Sequence, residues 1–331
     1  MKKKHKILVV YNHKSTFVAK DIKILSDFFD VKEFEYRKKS DYPRLVWDIL
    51  WSDVNYSWFA LGYATAAVII SKILRKKSIV VAGGWDVEYF PDLNYGAMQS
   101  PGRIRKTCFT LKHADKILAV SESTKKSVLR WCKDSNVETV YHGYDHRIYF
   151  PLQKDSLVVS IGTSSWGTLN VKGIETFVKS ASYLPDVTFM LIGPHSDESI
   201  LYLKEIASPN VIFKNYTPHN ELIPILGKAK VYVQASAQES FGSALAEAML
   251  CECVPVVTVR GALPEVVGNS GYYVEYNDPE RTAQQIKKAL MSNKGSIARD
   301  RIIRHFPIDT RRNKIIEIIK NNIDEQNFPL A

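Results

Sequence analysis

Short apolar runs alternate with amphipathic stretches along the whole chain. Residues 7–11 and 31–36 read as strands, with an amphipathic helix over 20–29 between them. Strand-like runs at 54–59 and 78–82 flank an apolar stretch, 58–74, that predicts a buried helix. Residues 116–120 predict a strand, Ser121 is placed to cap a helix running to Trp131, and 137–141 closes the series.

The pattern then restarts. Strands are expected at 157–161, 187–192, 211–213, 230–236, 254–258 and 271–274. Helices are expected at 172–182, 199–206, 219–226, 244–250, 263–267 and 279–291. A last amphipathic helix covers 310–323. Proline and polar residues at 150–154 separate the two series, so the expected domains are 1–150 and 151–305, with 306–331 as a terminal helical segment. Strand–helix alternation argues for an α/β fold with parallel sheets covered on both faces. Doubly wound sheets of this kind bind ligands at the carboxyl ends of their strands.

Composition changes this picture little. A chain of 331 residues can hold two ordinary cores, and 45% hydrophobic with 24% charged residues is normal for a globular protein. The stretch 58–74 is interrupted by Gly62, Thr65, Ser71 and Lys72, so no segment reaches the roughly 20 apolar residues of a membrane helix. The opening Met-Lys-Lys-Lys-His-Lys runs straight into a strand, unlike a signal peptide. Cys108, Cys132, Cys251 and Cys253 lack zinc or disulfide-scaffold spacing. A cytoplasmic location is therefore expected.

Charge is unevenly placed. Residues 1–150 carry 26 Lys and Arg against 16 Asp and Glu, whereas 151–331 carry 19 of each. A basic half suits anionic lipid headgroups or acidic glycans, and predicts a peripheral contact at the inner membrane face. Scattered, solvated lysines are the equally weighted alternative. No nucleic-acid-binding motif accompanies the short basic clusters, so no nucleic-acid partner is expected.

The most informative stretch is Glu-Ser-Phe-Gly-Ser-Ala-Leu-Ala-Glu-Ala-Met at 239–249. Glu239 and Glu247 bracket seven residues across a strand-to-helix junction. Gly242 falls where the helix opens, and the leading amides of a helix attract anions. Anion binding between two carboxylates suits a nucleotide diphosphate sugar, with hydroxyl-rich sugars on either side.

This run resembles the Glu–seven residues–Glu motif of retaining GT-B glycosyltransferases of group 1 (family 4), and the resemblance covers most of the chain. It implies two doubly wound Rossmann-like domains facing across a cleft, with the final helix returning to the N-terminal domain. It implies that Glu239 contacts the transferred sugar and Glu247 the ribose. Ser240, Phe241, Gly242 and Ser243 would lie beside the diphosphate. Gly162 and Thr163 end the first strand of the second half, where relatives carry Gly-Arg. Ser164, Ser165 or the amides of Trp166-Gly167 would replace hydrogen bonds of that arginine but not its charge. Lys172-Gly173 matches the Lys-Gly that neutralises the leaving diphosphate in the family. Tyr216, in Asn-Tyr-Thr-Pro, matches a loop beside the nucleobase; a buried aromatic is the alternative. Gly261-Ala-Leu-Pro-Glu265 resembles the turn that follows the motif helix.

On the acceptor side, Gly83-Gly84-Trp85-Asp86 stands where many relatives have His-Gly-x-Asp. Gly84 and Asp86 match, but Gly83 replaces the histidine. Asp86 reads equally well as an Asx turn. The glycine pair after the first strand is replaced by Asn-His-Lys-Ser-Thr, where Ser15 is a candidate for acceptor or phosphate. No Asp-x-Asp occurs, so neither metal nor cofactor is expected. The expected activity is retaining transfer of a hexosyl unit from a nucleotide diphosphate sugar to a glycan, lipid or small-molecule acceptor. Lys172 and Glu239 would be the catalytic residues. A degenerate nucleotide-sugar-binding protein and a GT-B epimerase are the alternatives.

Overall fold

The computed structural model describes residues 5–327. The chain divides at His142/Gly143 and at Ile308/Asp309 into two compact units.

In the first unit, β1 (Lys6–Tyr11), β2 (Asp30–Glu35), β3 (Val54–Trp58), β4 (Lys77–Ala82), β5 (Lys116–Ala119) and β6 (Val137–Thr139) form one parallel sheet in the order β2-β1-β3-β4-β5-β6. Ile7 and Val9 face one core, and Leu8 and Val10 the other. A strand covered on both faces must be apolar at every position, which explains the unbroken run in β1. The helix Ile308–Asn327 adds Ile315, Ile316 and Ile319 to the core that holds Ile7 and Val9.

A buried ion pair fixes that helix. Arg311 Nε and Nη2 donate to Asp21 Oδ1 and Oδ2, each at 2.7 Å. Arg311 Nη1 donates to the carbonyls of Val140 and Tyr141 at 2.8 and 2.9 Å. The Tyr56 hydroxyl donates to Asp21 Oδ2 at 2.8 Å. Every charge here is desolvated and every charge is answered.

In the second unit, β7 (Asp155–Ile161), β8 (Thr188–Ile192), β9 (Val211–Lys214), β10 (Ala229–Gln234), β11 (Val254–Thr258) and β12 (Tyr272–Val274) form a parallel sheet in the order β12-β11-β10-β7-β8-β9. The chain builds outward from β7 to β9, then returns to lay β10 on the other flank of β7. Connections leaving β7 and β10 therefore part in opposite directions. The crevice at such a switch point is where doubly wound sheets take their ligands.

Several elements differ from the expectations. The first helix is Thr16–Ser26 rather than 20–29, because residues 27–29 turn back toward β2. The helices Tyr42–Trp51, Pro101–His113 and Lys294–His305 lie in stretches for which no element was expected. The helix expected at 172–182 is two helices, Trp166–Lys172 and Ile174–Ser180, broken at Gly173 with φ 62°.

Replacing Arg311 by methionine leaves Asp21 charged and enclosed, so stability should fall by about 3–5 kcal/mol. Pairing that change with Asp21→Asn should recover part of the loss. Urea unfolding of the two variants checks this, and a single variant as stable as the parent would rule out a buried uncompensated charge.

Candidate functional site

The site forms where β7 and β10 part. Gly173 has a left-handed backbone, and a Cβ added there would lie 1.9 Å from the Ala235 carbonyl oxygen just beyond β10. The Ala237 amide donates to the Val171 carbonyl at 2.8 Å. The helix Trp166–Lys172 therefore ends directly on the segment that leads to the motif. As a result, Lys172 Nζ lies 2.6 Å from Glu239 Oε1. The same oxygen accepts from Gln234 Nε2 at 2.8 Å and from Ser236 Oγ at 3.2 Å. From the other side, a Cβ on Gly261 would lie 2.2 Å from the Glu239 carbonyl oxygen, and the Ala262 amide donates to that oxygen at 2.9 Å. Glu239 is thus held at both backbone and side chain, and is only 8% exposed.

Lys172 sits in the last turn of its helix, not at the start of one. The dipole there favours a cation. Gly242, with φ 90°, precedes the helix Ser243–Leu250 and has no side chain to cap its leading amides. Ser240 and Ser243 are half-buried on either side of Phe241-Gly242. The Phe241 ring is 2% exposed and packs against Tyr144 and Phe306, with centroids 6.1 and 5.3 Å away. Only its backbone can lie beside a diphosphate.

Glu247 Oε2 is 3.4 Å from His219 Nε2, which is 3.4 Å from the Tyr149 hydroxyl. Burial, and then the Glu247 charge, push the Tyr149 phenol well above its usual range. His219, Tyr149, Gln234 and Ser236 were not singled out in the sequence. For Gln234, a lone long polar side chain closing an apolar strand was the available signal. Gly162 and Thr163 follow β7: a Cβ on Gly193 would lie 2.1 Å from the Gly162 carbonyl, and the Thr163 carbonyl accepts from Thr168 Oγ1 at 2.6 Å. Tyr216 is 70% exposed, so the buried alternative does not hold.

Two of the first-unit candidates, Gly84 and Asp86, are tied into the fold. Asp86 is fully buried, and its carboxylate accepts from the amides of Gly84 at 2.8 Å and Ala60 at 2.7 Å. Burial raises its pKa to about 6 against the opposing pull of those amides. This is the Asx-turn alternative rather than an open substrate contact. A Cβ on Gly83 would lie 2.2 Å from the Phe59 ring, so Phe59 fills the space of the missing histidine. Ser15 precedes the helix Thr16–Ser26 without capping it, and its hydroxyl is buried with no hydrogen-bond partner among the described residues. Among the described residues, no group of three or more His, Cys, Asp and Glu is placed to hold a metal ion. No described helix is long and apolar enough to cross a membrane.

Residues 156–292, which carry Lys172, Glu239 and Glu247, match the family described as glycosyl transferases group 1. That segment belongs to the group 1 glycosyltransferases. N-acetyl-α-D-glucosaminyl L-malate synthase of Bacillus anthracis is 25% identical over 281 residues, spanning 77% of this chain and 71% of the relative. Among solved structures, Anabaena HepE has a TM-score of 0.78 at 16% identity, over 96% of this chain and 99% of that one. Sucrose-phosphate synthase of Thermosynechococcus elongatus has a TM-score of 0.78 at 14% identity, over 96% and 98%. These likenesses show the GT-B fold.

Gly173→Ala should destabilise the second unit by more than about 1 kcal/mol, through left-handed strain and the clash with Ala235. Thermal unfolding is the measurement. An unchanged melting temperature would show that the helix and the loop separate without cost.

Proposed function

We propose that this group 1 glycosyltransferase transfers a sugar from a nucleotide diphosphate sugar to an acceptor hydroxyl, with retention of anomeric configuration and without a metal. The observation that carries the reading is the Lys172–Glu239 pair, set at the switch point beside the glycine-led helix N-terminus. Lys172 and the amides at 242–244 hold the diphosphate, Glu247 takes the ribose hydroxyls, and Glu239 orients the hydroxyls of the transferred sugar. Exposed Tyr216 stacks on the base. The bond from the anomeric carbon to the diphosphate oxygen breaks, the bond to the acceptor oxygen forms on the same face, and the acceptor's proton passes to the departing diphosphate. The HepE structures with UDP and with UDP-glucose support a donor of this class.

A second reading, binding without turnover, is favoured by Thr163 in the arginine position and by Phe59 in the histidine space. Labelled UDP-, GDP- and ADP-sugars separate the two. Transfer or slow donor hydrolysis supports the enzyme, and binding with neither supports the second reading. Preorganised charge at a leaving group is worth about 3 kcal/mol. Turnover in Lys172→Ala should therefore fall roughly 100-fold, and less in Lys172→Arg. Steady-state kinetics decide this, and near-parental turnover in the alanine variant removes Lys172 from the reaction.

We also propose a cytoplasmic protein with a peripheral membrane contact on the first unit. Trp47 and Ile73, 71% and 74% exposed, lie on the paired helices Tyr42–Trp51 and Gly62–Ile73, and Lys72, next to Ile73 in the chain, is exposed. Lys77, in the basic run Arg75-Lys76-Lys77, pairs with Asp115 at 3.7 Å. Vesicles with anionic lipid should sediment the protein at low salt, and neutral vesicles should not. Trp47→Ser with Lys72→Glu should release it. Equal binding to both vesicle types would leave a soluble acceptor as the better account.

A further inference from the structure

A nucleotide diphosphate brings at least two negative charges to this edge. On the reading above, Lys172 answers them, but Lys172 is already paired with Glu239 at 2.6 Å. Thr163 adds no charge at the end of β7. The edge is a cation short of what its proposed ligand needs. We propose that Arg260 is the second diphosphate-binding cation, standing in for the arginine absent at position 163. The assignment rests on the nucleotide-diphosphate reading of the site.

Two independent ties place Arg260 there. It follows β11, the strand paired with β10, and its neighbour Gly261 lies against the Glu239 backbone. One peptide thus separates Arg260 from the residue that touches Glu239. On the other flank, the Tyr276 hydroxyl donates to the Asn170 carbonyl at 3.0 Å, in the last turn of the helix that carries Lys172. Burial raises the Tyr276 phenol, Glu175 adds to this, and Arg260 pulls it back, so the guanidinium lies within electrostatic reach of that hydroxyl. Arg260 is thus one residue from the backbone contact with Glu239 and acts on a hydroxyl bound to the Lys172 helix.

Its chemistry fits. Arg260 is exposed and makes no ion pair and no side-chain hydrogen bond with the described residues. A planar guanidinium offers two parallel N–H donors to a phosphate and stays charged at any working pH. It would share with Lys172 the charge that builds on the leaving diphosphate.

The test separates the diphosphate from the nucleoside. Calorimetric titrations with UDP, GDP and ADP, with their nucleosides and with inorganic pyrophosphate, are compared for the parent and Arg260→Gln. The variant should bind the preferred nucleoside diphosphate roughly tenfold or more weakly and its nucleoside within about twofold. Adding Thr163→Arg to Arg260→Gln should restore most of the affinity, because it returns a cation to the end of β7. Thermal unfolding of each variant checks that the fold is intact. If the parent binds a nucleoside diphosphate and Arg260→Gln binds it as tightly, the Arg260 assignment is overturned while the site reading stands. Equal losses for nucleoside and diphosphate overturn it as well. If the parent binds none of the three diphosphates, the site reading itself fails and Arg260 falls with it.

Discussion

Backbone contacts that leave no room for a side chain hold the second unit's ligand edge together. Gly173 meets the Ala235 carbonyl, Gly261 meets the Glu239 carbonyl, and Gly193 meets the Gly162 carbonyl, each at about 2 Å from where a Cβ would stand. All three glycines have positive φ. These contacts tie together the segments that follow four strands, β7, β8, β10 and β11. Residues 172 and 239, far apart in the chain, then meet with little freedom left. A charge positioned by main-chain geometry needs no rearrangement when a ligand's charge develops beside it.

Electrostatics at this edge run in one direction. The helix Trp166–Lys172 presents its negative end to its own lysine, and the helix Ser243–Leu250 presents its positive end from the β10 side. The Glu239 oxygen Oε1 takes three donors, from Lys172, Gln234 and Ser236. Its other oxygen takes none of them, which suits it to ligand hydroxyls in the proposed role. An anion that engages Lys172 must compete with Glu239 for it. That competition is why the count of nearby cations bears on affinity.

The sheets and the motif helix were legible because their signals are local. Runs such as Ile-Leu-Val-Val in β1 admit few structures other than a doubly covered strand, and Ser-Ala-Leu-Ala-Glu-Ala-Met is helix former throughout. The amphipathic helices Tyr42–Trp51 and Pro101–His113 were missed because proline at their first turn reads as a loop signal, although it suits a helix start. Trp166–Lys172 was missed because Ser-Ser-Trp-Gly-Thr resembles a loop and Lys-Gly resembles a helix start. Whether Gly173 opens a helix or closes one depends on its contact with Ala235, which is tertiary. The burial of Phe241 and the exposure of Tyr216 are likewise set by neighbours distant in sequence.

The first unit follows the same physics to a different end. Asp86, after β4, is fully buried and bound to two loop amides. His142, after β6, stacks on Trp58, and desolvation, followed by Arg311 and Lys20, holds its imidazole well below the usual range. Asp21 is tied to Arg311 and Tyr56. A base whose pKa is lowered by burial accepts a proton poorly, and a carboxylate already accepting two amides has little capacity left. His142 is thus a poor proton acceptor, and Asp86 and Asp21 are tied into the unit's own hydrogen bonds. The transfer proposed above asks for no such group, because the departing diphosphate oxygen takes the acceptor's proton itself. The charge chemistry is then carried by the second unit, where the glycine contacts hold its parts in place.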